Sequence, residues 1–223
     1  MSYWRSIATI VRKDLLIEVR GKEIILSVSF FVFLMVFIFN FAFKPGTVPL
    51  EVMTPGVLWF TFLFAGMLSF QRVVSTEQEN GCLDGLMLCP QGRDVIFVAK
   101  TISSFLFVLA VEVISLPFFA VVFNLSVFPV ELLLIIPLAT LGISIIGTLL
   151  AALSMNTRLR EVMLPILLIP LVVPVVIAAV ESTGNALSGE GWAAVQPWIW
   201  VMVIFDIVFL VIGLLTFEHV IEE

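Results

Sequence analysis

The sequence predicts an all-α, polytopic membrane protein with six transmembrane helices behind an N-terminal amphipathic helix on the membrane surface. Of the 223 residues, 61% are hydrophobic and 13% are charged, whereas soluble chains carry roughly 25% charged residues. Several apolar runs reach the roughly 20 residues needed to cross about 30 Å of hydrocarbon. These runs are continuous rather than alternating, which excludes a transmembrane β-barrel.

The first 23 residues predict a helix that lies in the membrane interface. Apolar side chains recur at helical spacing with basic side chains between them, which is typical of helices that bind lipid headgroups. The expected apolar face consists of Trp4, Ile7, Val11 and Leu15. The residues expected at the bilayer surface include Trp4, Arg5, Arg12 and Lys13. The alternative is an ordinary charged leader ahead of the first span.

Residues 24–217 carry six apolar runs, which we predict as the spans of a single transmembrane domain covering 1–223. The spans are placed at 24–43, 55–72, 97–123, 131–154, 162–181 and 198–217. The third is over-long, so an interfacial turn is expected around residues 94–100. Three prolines predict kinks in the fifth span. Small residues recur at every fourth position of the fourth span, which favours close approach of another helix.

Lysine and arginine are distributed unevenly between the two sides of these spans. One side holds five in the N-terminal segment, three in the 72–100 segment (Arg72, Arg93 and Lys100) and two at 155–161, and the other holds only Lys44. Cytoplasmic loops carry the excess of positive charge in membrane proteins. Ten cations against one therefore predict that both termini and the central loop at 73–96 face the cytoplasm.

The central loop at 73–96 is the only sizeable polar interruption between the spans. Leu83, Leu86 and Met87 stand at i, i+3 and i+4, so a short helix would present one apolar face there. Pro90 would end that helix, because proline lacks the N–H group and restricts the preceding residue. The alternative is a capped surface loop between two membrane helices.

The sequence contains no recognisable nucleotide or catalytic site. The nearest approach to a P-loop is Gly21-Lys22, but Glu23 replaces the required Ser or Thr. The single histidine, His219, excludes a two-histidine metal or haem site within the chain. Cys82 and Cys89 match neither a zinc knuckle nor a redox pair. Because these sites are missing, we expect a protein that is not an enzyme and binds no metal or cofactor. The net charge of −6 offers no basic surface for nucleic acid.

Two acidic residues, Glu112 and Asp206, fall inside the predicted spans. Ionisable residues at such positions usually face a cavity or a partner. Two interpretations stay open: a polar patch on a translocation path or subunit contact, and a protonated or internally hydrogen-bonded carboxyl that only aids packing. Trp192, Trp198 and Trp200 at the start of the sixth span are typical of an aromatic belt at the membrane interface.

Taken in order along the chain, these features resemble a permease of the type-2 class of ABC exporters. In that class the loop between spans two and three carries a motif resembling E-x-x-x-G-x-L-x-x-L followed by proline, and its helix docks on an ATP-binding subunit. Glu77, Gly81, Leu83, Leu86 and Pro90 stand in those places. The resemblance implies that the ATPase-coupling residues are Glu77, Glu79, Gly81, Leu83, Asp84, Leu86, Met87 and Pro90.

More narrowly, the chain is similar to the cytochrome c maturation protein B family, also called haem exporter protein B. The opening (Trp4, Ile7, Lys13, Asp14, Leu15), the Gly81-Cys-Leu-Asp-Gly-Leu core and the proline-rich fifth span carry this resemblance. It implies a component of the bacterial inner membrane that works with an ATP-binding cassette subunit, a haem-handling membrane subunit, a further small membrane subunit and a periplasmic haem chaperone. ATP with Mg²⁺ would bind the partner, and haem would be handled by the complex.

Two other functions compete with the one that this resemblance implies. A membrane enzyme or haem-ligating carrier is disfavoured, because one terminal histidine and two cytoplasmic cysteines leave no ligand set facing the periplasm. A permease of a generic type-2 exporter for a drug, lipid or polysaccharide stays open as the alternative.

Overall fold

The computed structural model describes residues 3–20, 22–43, 50–79, 93–123, 129–154 and 160–220. These described residues form seven helices: α1 (Tyr3–Arg20), α2 (Lys22–Ala42), α3 (Leu50–Glu79), α4 (Arg93–Val122), α5 (Leu132–Ser154), α6 (Arg160–Leu187) and α7 (Trp192–Val220). The all-helical class expected from the continuous apolar runs is confirmed. Gly21, between the end of α1 and the start of α2, lies outside the described residues.

Within the described residues, five helices contain a segment long and apolar enough to cross a membrane. These segments are Val52–Gln71, Asp94–Val122, Leu132–Ser154, Val162–Leu187 and Trp192–Phe217. The first predicted span falls on α2, whose described apolar part, Leu26–Ala42, is shorter than the other five. The chain is therefore a multi-pass membrane protein, and a sixth span through α2 stays a prediction.

The helices bordering the central loop are longer than the sequence suggested. The second span was expected at 55–72, but α3 begins at Leu50 and continues to Glu79, because no glycine or proline interrupts residues 67–79. Glu77 and Glu79 therefore belong to the last turns of α3 rather than to a loop. α4 is helical from Arg93, where an interfacial turn was expected. The remaining loop residues, 80–92, lie outside the described part of the chain.

Helix α5 forms the centre of the bundle. It packs against α3, α4, α6 and α7, and 16 of its 23 residues are buried. Two glycines permit this close packing: a Cβ atom at Gly147 would overlap the ring of Phe70 on α3, and one at Gly142 would meet Asp206 and Phe205 on α7. Of the four small residues at this spacing in the fourth predicted span, Thr140, Ser144 and Thr148 are buried, and Ala152 is partly buried.

Helices α6 and α7 are joined by a tight turn that positions them side by side. Helix α6 continues through its three prolines and ends at Leu187. Gly189 and Gly191 then adopt φ angles of 71° and 79°, which lie in the left-handed region that glycine tolerates best. The Nδ2 amide of Asn185 donates a hydrogen bond to the carbonyl oxygen of Ala194 at 3.1 Å, which links the end of α6 to the start of α7.

Candidate functional site

Helix α1 packs on the beginning of α4. Ile7 of α1 is 4% exposed and forms a small apolar cluster with Val95 and Ala99 of α4. We expected Ile7 on the lipid-facing side together with Trp4, but only Trp4, 71% exposed, projects away from the protein. The sequence pattern identified an apolar face without revealing that a neighbouring helix covers part of it.

A buried ion pair extends the contact between α1 and α4. Nζ of Lys100 lies 3.0 Å from Oδ2 of Asp14, and Nζ of Lys13 lies 3.0 Å from Oδ1 of the same carboxylate. The side chains of Asp14 and Lys100 are only 11% and 9% exposed. Lys13, expected to contact lipid headgroups, is thus held beside Asp14. Of the cations that the sequence analysis places on the cytoplasmic side, Lys100 lies inside the apolar segment Asp94–Val122, whereas Arg72 and Arg93 lie outside such segments. Without Lys100 the count is nine against one and still favours the same orientation.

Glu18 lies one helical turn beyond Asp14 and belongs to the same ionic cluster. Its side chain is buried, and its pKa is raised to about 8, chiefly by burial and also by the nearby Asp14 carboxylate, while Lys100 acts in the opposite direction. At neutral pH the cluster therefore contains a neutral Glu18 beside the charged pair of Asp14 and Lys100. Helix α1 lies outside the apolar segments that are long enough to cross a membrane.

The α1–α4 contact borders the segment expected to couple to an ATPase. Val95, Ala99 and Lys100 all fall within the first eight residues of α4, which begins directly after the undescribed residues 80–92. Most of the expected coupling residues lie in that undescribed segment: Gly81, Leu83, Asp84, Leu86, Met87 and Pro90. The structure therefore shows what the loop is connected to, and the role of the loop itself stays a prediction.

Glu112, the first of the two intramembrane acids, is fixed by a hydrogen bond to α5. Its Oε2 lies 2.6 Å from Oγ1 of Thr140, and the same Oγ1 lies 2.7 Å from the carbonyl oxygen of Ile136. A threonine hydroxyl has one proton to donate but faces two acceptors here. Both contacts become hydrogen bonds if Glu112 is protonated and donates to Thr140, which donates to Ile136. This geometry favours the neutral carboxyl.

Asp206, the second acid, lies against the backbone of α5 without a hydrogen-bond partner. It is 5% exposed, and no described residue forms a hydrogen bond with Oδ1 or Oδ2. A Cβ atom at Gly142 would come within 2.5 Å of Oδ1, so glycine is needed at the point where the carboxyl packs. An ionised carboxylate at the centre of a membrane helix costs roughly 2.5–3.5 kcal/mol on insertion scales.

The two acids do not form one polar patch. Their contacts on α5, Thr140 and Gly142, are two residues apart, which corresponds to about 200° of rotation and a rise of about 3 Å. Glu112 and Asp206 therefore approach α5 from opposite sides at nearly the same depth. Both are buried within the chain, so a translocation path along either would require the helices around α5 to separate.

One buried polar contact was not anticipated from the sequence. Trp59 of α3 is fully buried, and its Nε1 donates a hydrogen bond to Oγ1 of Thr183 on α6 at 2.9 Å. A tryptophan in the middle of an apolar run requires an acceptor for its N–H group, but the partner is 124 residues away in sequence. Among the described residues, no group of histidine, cysteine and acidic side chains could hold a metal ion.

The start of α7 carries the tryptophans expected at the membrane interface. Trp192 and Trp200 are exposed, whereas Trp198 packs partly against the hydrophobic core. A shallow depression of about 380 Å³ lies next to Trp192. It is lined by Trp192, Glu131 and residues at the beginning of α5. An interfacial belt stays the prediction for these tryptophans.

The fold and these buried contacts define a helical, multi-pass membrane protein whose polar side chains act between helices. Comparison with known families makes the assignment specific: the model of the CcmB protein family matches residues 5–223, and the chain belongs to this family. The family resemblance inferred from the motifs is thereby confirmed.

Individual relatives are similar over most of their length. The heme exporter protein B of Haemophilus influenzae is 30% identical to this chain, and the match covers 83% of this chain and 86% of the relative. The corresponding protein of Pseudomonas aeruginosa is 28% identical over 81% of each chain. That of Rhodobacter capsulatus is 29% identical, covering 81% of this chain and 83% of the relative.

Proposed function

We propose that this chain is the membrane subunit of an ATP-driven complex that exports or releases haem for the assembly of c-type cytochromes. The observation that carries the proposal is the CcmB family match over residues 5–223, together with relatives named heme exporter protein B. The five apolar helices long enough to cross a membrane provide the scaffold that a transport subunit requires.

ATP hydrolysis is assigned to a separate ATP-binding cassette subunit, and this chain is assigned no catalytic role. The sequence lacks a P-loop, since the lysine of Gly21-Lys22 is followed by Glu23. Energy from ATP would then reach the membrane helices through contact between subunits. The loop at 73–96 is the cytoplasmic segment assigned to that contact.

The α1–α4 contact would extend a movement of this loop to the N-terminal helix. A displacement of the loop pulls on Arg93 and the first turns of α4, where Ile7 of α1 packs between Val95 and Ala99. The ion pair between Asp14 and Lys100 would hold the two helices together during such a movement. Helix α1 thus follows the start of α4 instead of drifting independently on the lipid surface.

The proposed setting is the bacterial inner membrane, with both termini in the cytoplasm. The exposed side of α1 presents Trp4, Arg5 and Arg12, a combination suited to the polar and apolar zones of a lipid surface. The proposed protein partners are the ATP-binding cassette subunit, a haem-handling membrane subunit, a further small membrane subunit and a periplasmic haem chaperone. Haem is the cargo of the complex and not a resident cofactor of this chain.

Replacement of a relative tests this proposal directly. A Pseudomonas aeruginosa strain lacking its heme exporter protein B would receive this chain with an affinity tag, and haem-staining c-type cytochromes would be measured in membranes. We expect restored cytochromes and co-purification of an ATP-binding subunit in mild detergent. Normal insertion without restored cytochromes, combined with co-purification of drug or polysaccharide export components, would refute the haem assignment.

A further inference from the structure

We propose that Asp206 is a proton-binding site that controls the contact between α5 and α7. Its carboxyl is neutral while the two helices are packed together, and it ionises when they part and water reaches it. The carboxyl lies at the midpoint of α7, 14 residues from Trp192 and 14 from Val220. At about 1.5 Å per residue, this places it roughly 21 Å from either end of the helix.

The packed conformation accommodates only the neutral carboxyl. An ionised carboxylate requires hydrogen-bond donors or a cation when it is removed from water. Neither oxygen of Asp206 has a hydrogen-bond partner among the described residues, and Phe205 and Gly142 are its close neighbours. A neutral carboxyl costs far less free energy to bury in such apolar packing than an ionised one.

No charged side chain of the described residues compensates Asp206. Helix α5, which it faces, contains no titratable residue between Leu132 and Ser154. On α6, Glu181 is exposed, and Arg160 and Glu161 occupy the first turn. On α4, Asp94 lies in the first turn, Lys100 pairs with Asp14, and Glu112 contacts the opposite side of α5. On α7 itself, Glu218 and His219 lie at the far end.

Glu112 differs from Asp206 because its carboxyl forms a hydrogen bond within the bundle. The carboxyl of Glu112 is tied to Thr140, whose hydroxyl also reaches the carbonyl of Ile136. Separation of α4 from α5 would break that arrangement, whereas separation of α7 from α5 costs Asp206 no hydrogen bond. Asp206 is therefore the acid free to exchange its proton as the bundle opens.

The proton step is simple and reversible. When α5 and α7 part, the O–H bond of the Asp206 carboxyl breaks, the proton passes to an entering water molecule, and a hydrated carboxylate remains. Hydration of the charge then opposes closure over Gly142, because the carboxylate would have to shed its water. Uptake of a proton from water restores the neutral group and allows α5 and α7 to pack again.

Labelling with dicyclohexylcarbodiimide tests this assignment on the full-length protein in lipid nanodiscs. The reagent adds to protonated carboxyls in apolar surroundings, and peptide mass spectrometry locates the adduct. We expect an adduct on Asp206 at about pH 6 whose yield falls as the pH is raised to 9, because only the protonated carboxyl reacts. Asp206→Asn should abolish this adduct, and Glu112→Gln should leave it unchanged.

Thermal unfolding provides a second measurement that does not depend on reagent access. Asp206→Asn keeps the shape and neutrality of the packed group, so its stability should not fall as the unfolded chain loses the Asp206 proton above about pH 3.9. We therefore expect Asp206→Asn to unfold at a higher temperature than the wild type at pH 6 and by a wider margin at pH 9. Two results would overturn the assignment: no pH-dependent adduct on Asp206, or a constant stability difference between Asp206→Asn and the wild type from pH 6 to pH 9.

Discussion

Lys100 of α4 and Asp14 of α1 form an ion pair, with 3.0 Å between Nζ and Oδ2, at a position where both side chains are about nine-tenths buried. The pair connects helices whose contacting residues are 86 positions apart in sequence, and it lies just beyond the start of α4. It makes α1 part of the folded protein rather than an independent membrane-surface helix.

Removing one partner of this pair should destabilise the protein strongly. Breaking a buried ion pair typically costs about 3–5 kcal/mol, because the remaining charge stays buried without compensation. We expect Asp14→Asn or Lys100→Met to lower the unfolding temperature in detergent. The exchange of both residues, Asp14→Lys with Lys100→Asp, should recover part of the loss.

Lys13 provides the matched control for this prediction. It contacts the same Asp14 carboxylate at 3.0 Å, but its side chain is 40% exposed, and exposed pairs contribute only about 0–1 kcal/mol. Lys13→Gln should therefore have little effect on the unfolding temperature. Equal effects of Lys13→Gln and Lys100→Met would show that burial of the pair is not what holds α1 to α4.

Glu18 should make the stability of the protein depend on pH. Its pKa is raised from the usual 4.5 to about 8 in the folded chain. The folded state therefore holds a proton that the unfolded state has released, so the free energy of unfolding should decrease as pH rises from about 4.5 to about 8 and then level off. Glu18→Gln should remove this part of the slope when unfolding is followed between pH 5 and pH 9. If the free energy of unfolding of Glu18→Gln fell with pH as steeply as that of the wild type, a group other than Glu18 would hold the proton.

The hydrogen bond between Glu112 and Thr140 can be tested with two substitutions. If Glu112 is neutral and donates to Thr140, Glu112→Gln preserves a donor and should change the unfolding temperature little. Thr140→Val leaves the buried carboxyl without its partner and should cost about 1–3 kcal/mol. Thr148, whose buried hydroxyl has no hydrogen-bond partner among the described residues, is the control, and Thr148→Val should be neutral or stabilising. A strong loss in Glu112→Gln with none in Thr140→Val would contradict the assigned hydrogen bond.

The orientation of the chain can be checked by chemical labelling in intact cells. A membrane-impermeant thiol reagent should label cysteines introduced by Thr47→Cys or Leu187→Cys. Position 47 lies between the first and second predicted spans and position 187 between the fifth and sixth, on the side expected to face the periplasm. Cys82 in the central loop should be protected until the cells are broken. Labelling of Cys82 from outside would reverse the topology and remove the basis for its loop contacting an ATPase.

The sequence identified the helices well, because each long apolar run has few alternatives to a membrane-buried helix. It placed helix ends less well: α3 extends to Glu79 because polarity alone does not end a helix. It could not identify pairs such as Asp14 with Lys100 or Trp59 with Thr183, since these depend on which helices become neighbours. The sequence predicts an interfacial turn at Lys100, and it gives no sign that this residue instead lies within α4 as the buried partner of Asp14.

The loop at 73–96 yields the most direct test of how ATP would act on this protein. If Leu83 and Leu86 bury their side chains against an ATP-binding subunit, each contributes about 1.5–3 kcal/mol to the contact. Because each 1.4 kcal/mol corresponds to about a factor of ten in affinity, Leu83→Asp with Leu86→Asp should abolish co-purification of that subunit. The control, Leu83→Met with Leu86→Met, keeps the surface apolar and should retain it. Both variants should insert normally, and retained ATPase binding with normal cytochrome c yield in the aspartate variant would show that this loop is not the coupling element.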